Sequence, residues 1–136
     1  MGTRLRPLTD HIPKCLVEIG GRPLLEYWIQ TLYTYGVREI LINIHHHRAA
    51  VERYLACCPY PVEIERAYEN KLLGTGGTLL RNAKFFKDEA AIIIHADNFS
   101  RFDLGAFLCA YESRPPGVEM TMMTFETDRP QSCGIV

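Results

Sequence analysis

Arg38-Glu39-Ile40-Leu41-Ile42-Asn43-Ile44 is an apolar run with the length of a buried strand, the kind that parallel sheets contain. Helical patterns flank it. Before it, Leu25, Trp28, Ile29 and Leu32 recur at helical spacing, Pro23 suits the first turn and Gly36 the C-cap. After it, a second helix is expected over about 48–57, with Val51, Tyr54 and Leu55 on one face and Pro59 and Pro61 as its stop. Val62-Glu63-Ile64-Glu65 alternates as an edge strand does, and Leu73-Gly74-Thr75-Gly76-Gly77 opens a third helix reaching about Phe85. Ala90 to His95 reads as another buried strand, ending at Asp97-Asn98. Asp103 is a suitable N-cap for a fourth helix carrying Leu104, Phe107, Leu108 and Tyr111, which Pro115-Pro116-Gly117 breaks. Val118 to Phe125 is expected to be a strand, and Cys133 to Val136 the start of one more. At the N-terminal side, residues 14–19 form a partly extended entry and Gly20-Gly21 a turn. Strands alternating with helices predict an α/β fold whose mostly parallel sheet is covered on both faces.

Composition narrows the function. The 136 residues suit one domain or most of one, and a net charge of −1 argues against a broad nucleic-acid footprint or a polybasic membrane patch. No run of about 18 apolar residues suggests a transmembrane helix, and Arg4, Arg6 and Asp10 precede no apolar run of the signal-peptide kind. The five cysteines (Cys15, Cys57, Cys58, Cys109, Cys133) are odd in number and lack C-x-x-C spacing, which fits reduced thiols in the cytoplasm better than a disulfide framework or a zinc site.

Chemistry concentrates in a few places. Gly2-Thr3-Arg4-Leu5-Arg6-Pro7-Leu8-Thr9 and then Pro13-Lys14 put a glycine, a hydroxyl and three cations in one short segment, suited to a polyphosphate. Such a loop in an α/β protein normally follows a buried strand. Asp97 sits just past an apolar strand, where open α/β sheets place ligand sites, although an Asx-turn or a cap also suits it. His45-His46-His47 resembles a metal tract, but side chains alternate along a strand, so a solvated strand end fits better. A dinucleotide-binding oxidoreductase is disfavoured, because no G-x-G-x-x-G follows a strand.

The chain resembles the sugar-1-phosphate nucleotidyltransferases, whose signature reads G-x-G-T-R-L-x-P-L-T followed by P-K-P. Here G-T-R-L-R-P-L-T occupies 2–9 and P-K-C 13–15. G-G-R-P-L-L-E-Y at 20–27, L-G-T-G-G at 73–77, A-D-N at 96–98 and C-G-I-V at 133–136 follow in order. The L-G-T-G-G form and the stretch from Thr124 to Gly134 look most similar to the mannose-1-phosphate guanylyltransferase branch. The resemblance implies a Rossmann-like three-layer α/β/α sandwich, with residues 1–136 as a partial catalytic domain. It assigns Gly2, Thr3 and Arg4 to the nucleoside triphosphate and Lys14 to the phosphates at the reacting centre. Glu69, Gly74, Thr75 and Gly76 fall to the nucleobase and ribose. As an acceptor-only group, the Glu69 carboxylate would complement the donors of guanine. Asp97 becomes a Mg²⁺ ligand and, with Arg4 and Lys14, part of the catalytic set. Gly134 would approach the sugar, unless it marks only a bulge or kink.

The implied reaction joins a nucleoside triphosphate to a sugar 1-phosphate, with GTP and mannose 1-phosphate expected first and UTP or dTTP with glucose 1-phosphate as the alternative. The apolar strand that precedes the signature in the family, its later E-K-P segment and its second metal-binding Asp are not among these residues. The 136 residues alone are therefore expected to be catalytically crippled, and a non-catalytic nucleotide-sugar-binding module is the alternative from another class. Homo-oligomerisation through open sheet edges is a further expectation, which sizing at several concentrations tests.

Overall fold

Gly20 and Gly21 form the turn of a two-residue-per-strand hairpin, β1 (Glu18–Ile19) against β2 (Arg22–Pro23). The computed structural model describes residues 5, 7–87, 89–129 and 131. Pro23 caps helix α1 (Leu24–Thr34) from extended backbone at φ −56°, ψ 139°. The stripe expected to be core is core: Leu24, Leu25, Trp28, Ile29 and Leu32 are all buried. Strand β3 (Glu39–Ile44), helix α2 (Arg48–Ala56) and strand β4 (Glu63–Tyr68) follow, and β3 pairs with β4 in parallel. The register runs from Glu39 opposite Glu63 to Ile44 opposite Tyr68.

The alternation of side chains along this pair separates two faces. Ile40, Ile42 and Ile44 of β3 and Ile64 and Tyr68 of β4 pack with Leu25 and Ile29 of α1 and Val51 and Leu55 of α2. Arg66, on that same face, pairs with Glu52 of α2 at 3.0 Å. On the opposite face, Asn43 Nδ2 donates to Thr78 Oγ1 of helix α3 (Gly74–Arg81) at 3.3 Å. Helices thus lie on both sides of the parallel pair, as the α/β expectation requires. The third helix is shorter than expected, giving way to a 3₁₀ turn at Ala83–Phe86.

Two expected strands differ. Residues 90–95 and 118–125 take no strand assignment. Ile92 and Ile93 are exposed, as are Met120, Met122, Met123 and Phe125. The reason is the ladder: apolar composition makes a strand only where a neighbour supplies N–H and C=O groups, and among the described residues none is paired with either segment. β3 is likewise only half-buried over Ile40–Ile42, not buried on both faces. Contacts within the chain divide it into two compact units, Met1–Ser100 and Arg101–Val136. The second contains helix α4 (Leu104–Glu112), whose Asp103 cap accepts from the Ala106 N–H at 2.9 Å as its sequence predicts. No helix among the described residues is long and apolar enough to cross a membrane.

Candidate functional site

Lys14 opens a single 3₁₀ turn, Lys14–Leu16, after the extended Pro13. The Leu16 N–H donates to the Pro13 carbonyl at 2.8 Å and that of Val17 to the Lys14 carbonyl at 3.1 Å. Cys15 and Leu16 pack against the core, and this anchors the backbone from which Lys14 extends. The Lys14 ammonium reaches across 83 positions to donate to Asp97 Oδ2 at 3.1 Å.

Asp97 is held by its neighbours. Ala96 packs against the same core, and the Asn98 N–H closes a turn onto the His95 carbonyl at 3.0 Å. Helix α1 fastens that turn, because the Trp28 indole N–H donates to the Asn98 carbonyl at 2.9 Å and Tyr27 meets Phe99 edge-on at 5.5 Å. Lys14 and Asp97 retain 38% and 44% side-chain exposure. An ion pair so exposed contributes about 1 kcal/mol or less, so a ligand can displace it at little cost. Burial pushes the neighbouring Cys15 thiol up, and the Asp97 charge adds to the effect, so Cys15 stays a neutral thiol.

A single exposed carboxylate beside an ammonium is a poor cage for a metal. Among the described residues no three His, Cys, Asp or Glu side chains converge for one, the histidines at 45–47 included. The donor set does fit an ion that draws most of its oxygens from substrate phosphates and water, as Mg²⁺ does through one or two carboxylates.

Glu69 lies at the C-terminal end of β4, where its N–H extends the ladder to the Ile44 carbonyl at 3.1 Å. Ligand sites in open α/β sheets gather at such strand ends. Its side chain is buried. Oε1 accepts from the Thr78 hydroxyl at 2.5 Å and Oε2 from the Leu73 N–H at 3.1 Å. His45 Nδ1 lies 2.6 Å from the Glu69 carbonyl, which calls for the tautomer protonated at that nitrogen. The Thr78 hydroxyl holds the Glu69 carboxyl below the usual carboxylate range, with the Leu73 amide helping and burial opposing. The residues that follow, Gly74, Thr75 and Gly76, are exposed. Beside Glu69, a cleft of about 220 Å³ is lined by Arg66, Ala67, Tyr68, Arg81 and Asn82.

Lys14 and Asp97 therefore meet, and Glu69 bonds to Leu73 and Thr78 on either side of Gly74–Gly76 at the start of α3; the core cluster that contains Ile44 is packed by Cys15, Ala96 and Tyr68, neighbours of both groups. Gly2, Thr3, Arg4 and Gly134 lie outside the described residues. The roles of Trp28, Asn43 and Thr78 in holding these groups emerge only from the fold, since the sequence marks Trp28 as core alone. Asn43 could have been found as the polar residue inside an apolar run.

Comparison with known proteins follows the same line. The chain is 30% identical over 139 residues to a mannose-1-phosphate guanyltransferase of Gibberella zeae, covering 99% of this chain and 38% of that protein. It is 32% identical over 144 residues to the Schizosaccharomyces pombe protein of that name, with the same coverage of 99% and 38%. A D-glycero-alpha-D-manno-heptose 1-phosphate guanylyltransferase of Campylobacter jejuni is 30% identical over 104 residues, 76% of this chain and 47% of that one. The chain thus spans less than half the length of these relatives. The family profile for nucleotidyl transferase matches residues 1–136, and the chain belongs to that family.

Proposed function

We propose that this chain forms the nucleotide-binding part of a sugar-1-phosphate guanylyltransferase, which joins GTP to mannose 1-phosphate and releases pyrophosphate. The observation that carries the reading is the 3.1 Å approach of Lys14 to Asp97 across 83 positions, in a chain of the nucleotidyl transferase family. The names of the relatives support guanine and a manno-configured sugar phosphate. A phosphate oxygen of the sugar 1-phosphate attacks the α-phosphorus in line. The new P–O bond forms as the bond to the β-phosphate bridging oxygen breaks, and pyrophosphate carries away the electron pair. No protein nucleophile is needed, so positioning and charge stabilisation are the tasks left to side chains. Lys14 places its ammonium against phosphate oxygens, Arg4 with Gly2 and Thr3 cradles the triphosphate, and Gly134 meets the sugar. Gly74, Thr75 and Gly76 face the base and ribose. Mg²⁺, held through Asp97 and the substrate's own phosphates, would supply neutralisation of triphosphate charge. The near-zero net charge favours small-molecule substrates over nucleic acid or a membrane surface, and the cysteine pattern favours the cytoplasm. Exposed apolar segments favour self-association.

The test supplies the protein, expressed from its full reading frame, with Mg²⁺, GTP and mannose 1-phosphate, and follows pyrophosphate and GDP-mannose. The reading predicts both products and a loss of at least about 100-fold in Lys14→Met, on the scale of removing one charge-stabilising group. GTP binding without product would instead support a non-catalytic module, and product from UTP with glucose 1-phosphate alone would overturn the choice of substrates.

A further inference from the structure

We propose that Glu69 is a positioning residue that latches the glycine loop for the nucleoside, rather than the group that reads the base. The proposal rests on the nucleotide site described above and reassigns one residue within it. Its basis is that the carboxylate is already spoken for. Glu69 is 3% exposed, and each of its oxygens accepts a bond from the loop or from α3. The polarity of the chain of bonds is fixed: Asn43 Nδ2 can only donate, so it directs the Thr78 hydroxyl to accept from β3 and give its proton to Glu69 Oε1. The bond to the ionised carboxylate, at 2.5 Å, has the length of a charge-assisted one.

The other oxygen acts on Leu73. With its N–H drawn to Glu69 at 3.1 Å, Leu73 sits so that a Cβ on Gly77 would fall 2.8 Å from its own Cβ. The turn is thereby closed on itself, and residue 77 has to be glycine. Between these two fixed points, Gly74 (φ +73°) and Gly76 carry no Cβ, and a Cβ at either would meet open space. The loop thus presents bare backbone outward while its inner side is tied down at Glu69. The Glu69 backbone is itself clamped to Ile44 of β3 and to the His45 ring just beyond it. A nucleoside recognised by that backbone depends on Glu69 for the shape of its site without touching the carboxylate.

Amide hydrogen exchange over residues 73–77, together with GTP and UTP dissociation constants, tests this on Thr78→Val, Thr78→Ser and Glu69→Gln. The latch predicts that Thr78→Val, which keeps shape and removes the hydroxyl, speeds loop exchange at least about tenfold, the scale of one charge-assisted bond lost. It should weaken GTP and UTP by the same factor, and Thr78→Ser should restore both. Unchanged loop exchange in Thr78→Val and Glu69→Gln overturns the latch. So does a changed GTP-to-UTP preference in Glu69→Gln with exchange unaltered, because that is the behaviour of a base-reading carboxylate. If Thr78→Val does not fold, Glu69→Gln gives the exchange result alone. Absence of nucleotide binding by the unaltered protein would refute the proposed function, while loop exchange would still decide the latch.

Discussion

Asp97, in a turn, and Glu69, just past β4, are both carboxylates, yet their surroundings give them opposite tasks. Among the described residues Asp97 pairs with one flexible ammonium, and both stay substantially exposed, so its pairing with Lys14 is weak enough to yield to a cation and a phosphate. Glu69 is buried and bonded twice, so it is committed to structure. The commitment has a pH signature. Since the folded-state pKa of Glu69 lies below its ordinary value, its stabilisation is complete above the usual glutamate range, near pH 4.5, and fades as pH falls through the lowered value. Arg81, whose charge also favours the ionised form, His45, at the Glu69 carbonyl, and Arg66 and Tyr68, which line the same cleft, are titratable groups near it. Thermal unfolding followed from pH 7 to pH 3 should show Thr78→Val less stable than the unaltered protein at neutral pH, with the gap closing below about pH 4.5. A constant gap across that range would refute the assignment. The sequence marked both residues as notable, but not this division of labour: burial and partners come from tertiary structure, and nothing local to Glu69 announces Thr78 nine positions on.

Among the elements, legibility followed periodicity and caps. Helix α1 reads from its apolar stripe and α4 from Asp103, because each signal is local. The glycine segment was legible as the opening of α3, but the separate reasons for its glycines were not. Gly74 is glycine for its φ of +73°, whereas Gly77 is glycine for space against Leu73. Gly74→Ala should therefore cost about 1–2 kcal/mol from left-handed backbone strain. Gly77→Ala should cost at least as much by forcing Leu73 off its bond to Glu69, and chemical denaturation of the two variants measures both. Gly77→Ala should also accelerate exchange of the Leu73 amide, and an unshifted amide there would contradict the close-contact account. Residues 90–95 and 118–125 were misread for the complementary reason. Strand formation depends on a partner elsewhere in the sequence, and composition alone reports only the side chains.

At the scale of the whole molecule, the βαβ unit of β3, α2 and β4, with α1 and α2 on one face and α3 on the other, is what the alternating pattern foretold. It sets Glu69 at a strand end, and the core it shares with Cys15 and Ala96 carries the Lys14 turn and the Asp97 turn side by side. That convergence was legible only through motif order, since no periodicity links position 14 to position 97. The most direct measurement is calorimetric titration of GTP into the protein, with Mg²⁺ and with EDTA, for the unaltered chain and Asp97→Asn. The account predicts that Mg²⁺ tightens GTP binding to the unaltered chain at least about tenfold, or ~1.4 kcal/mol, and that Asp97→Asn abolishes the difference. Equal affinity with and without the ion, or a magnesium effect that survives in Asp97→Asn, would contradict it.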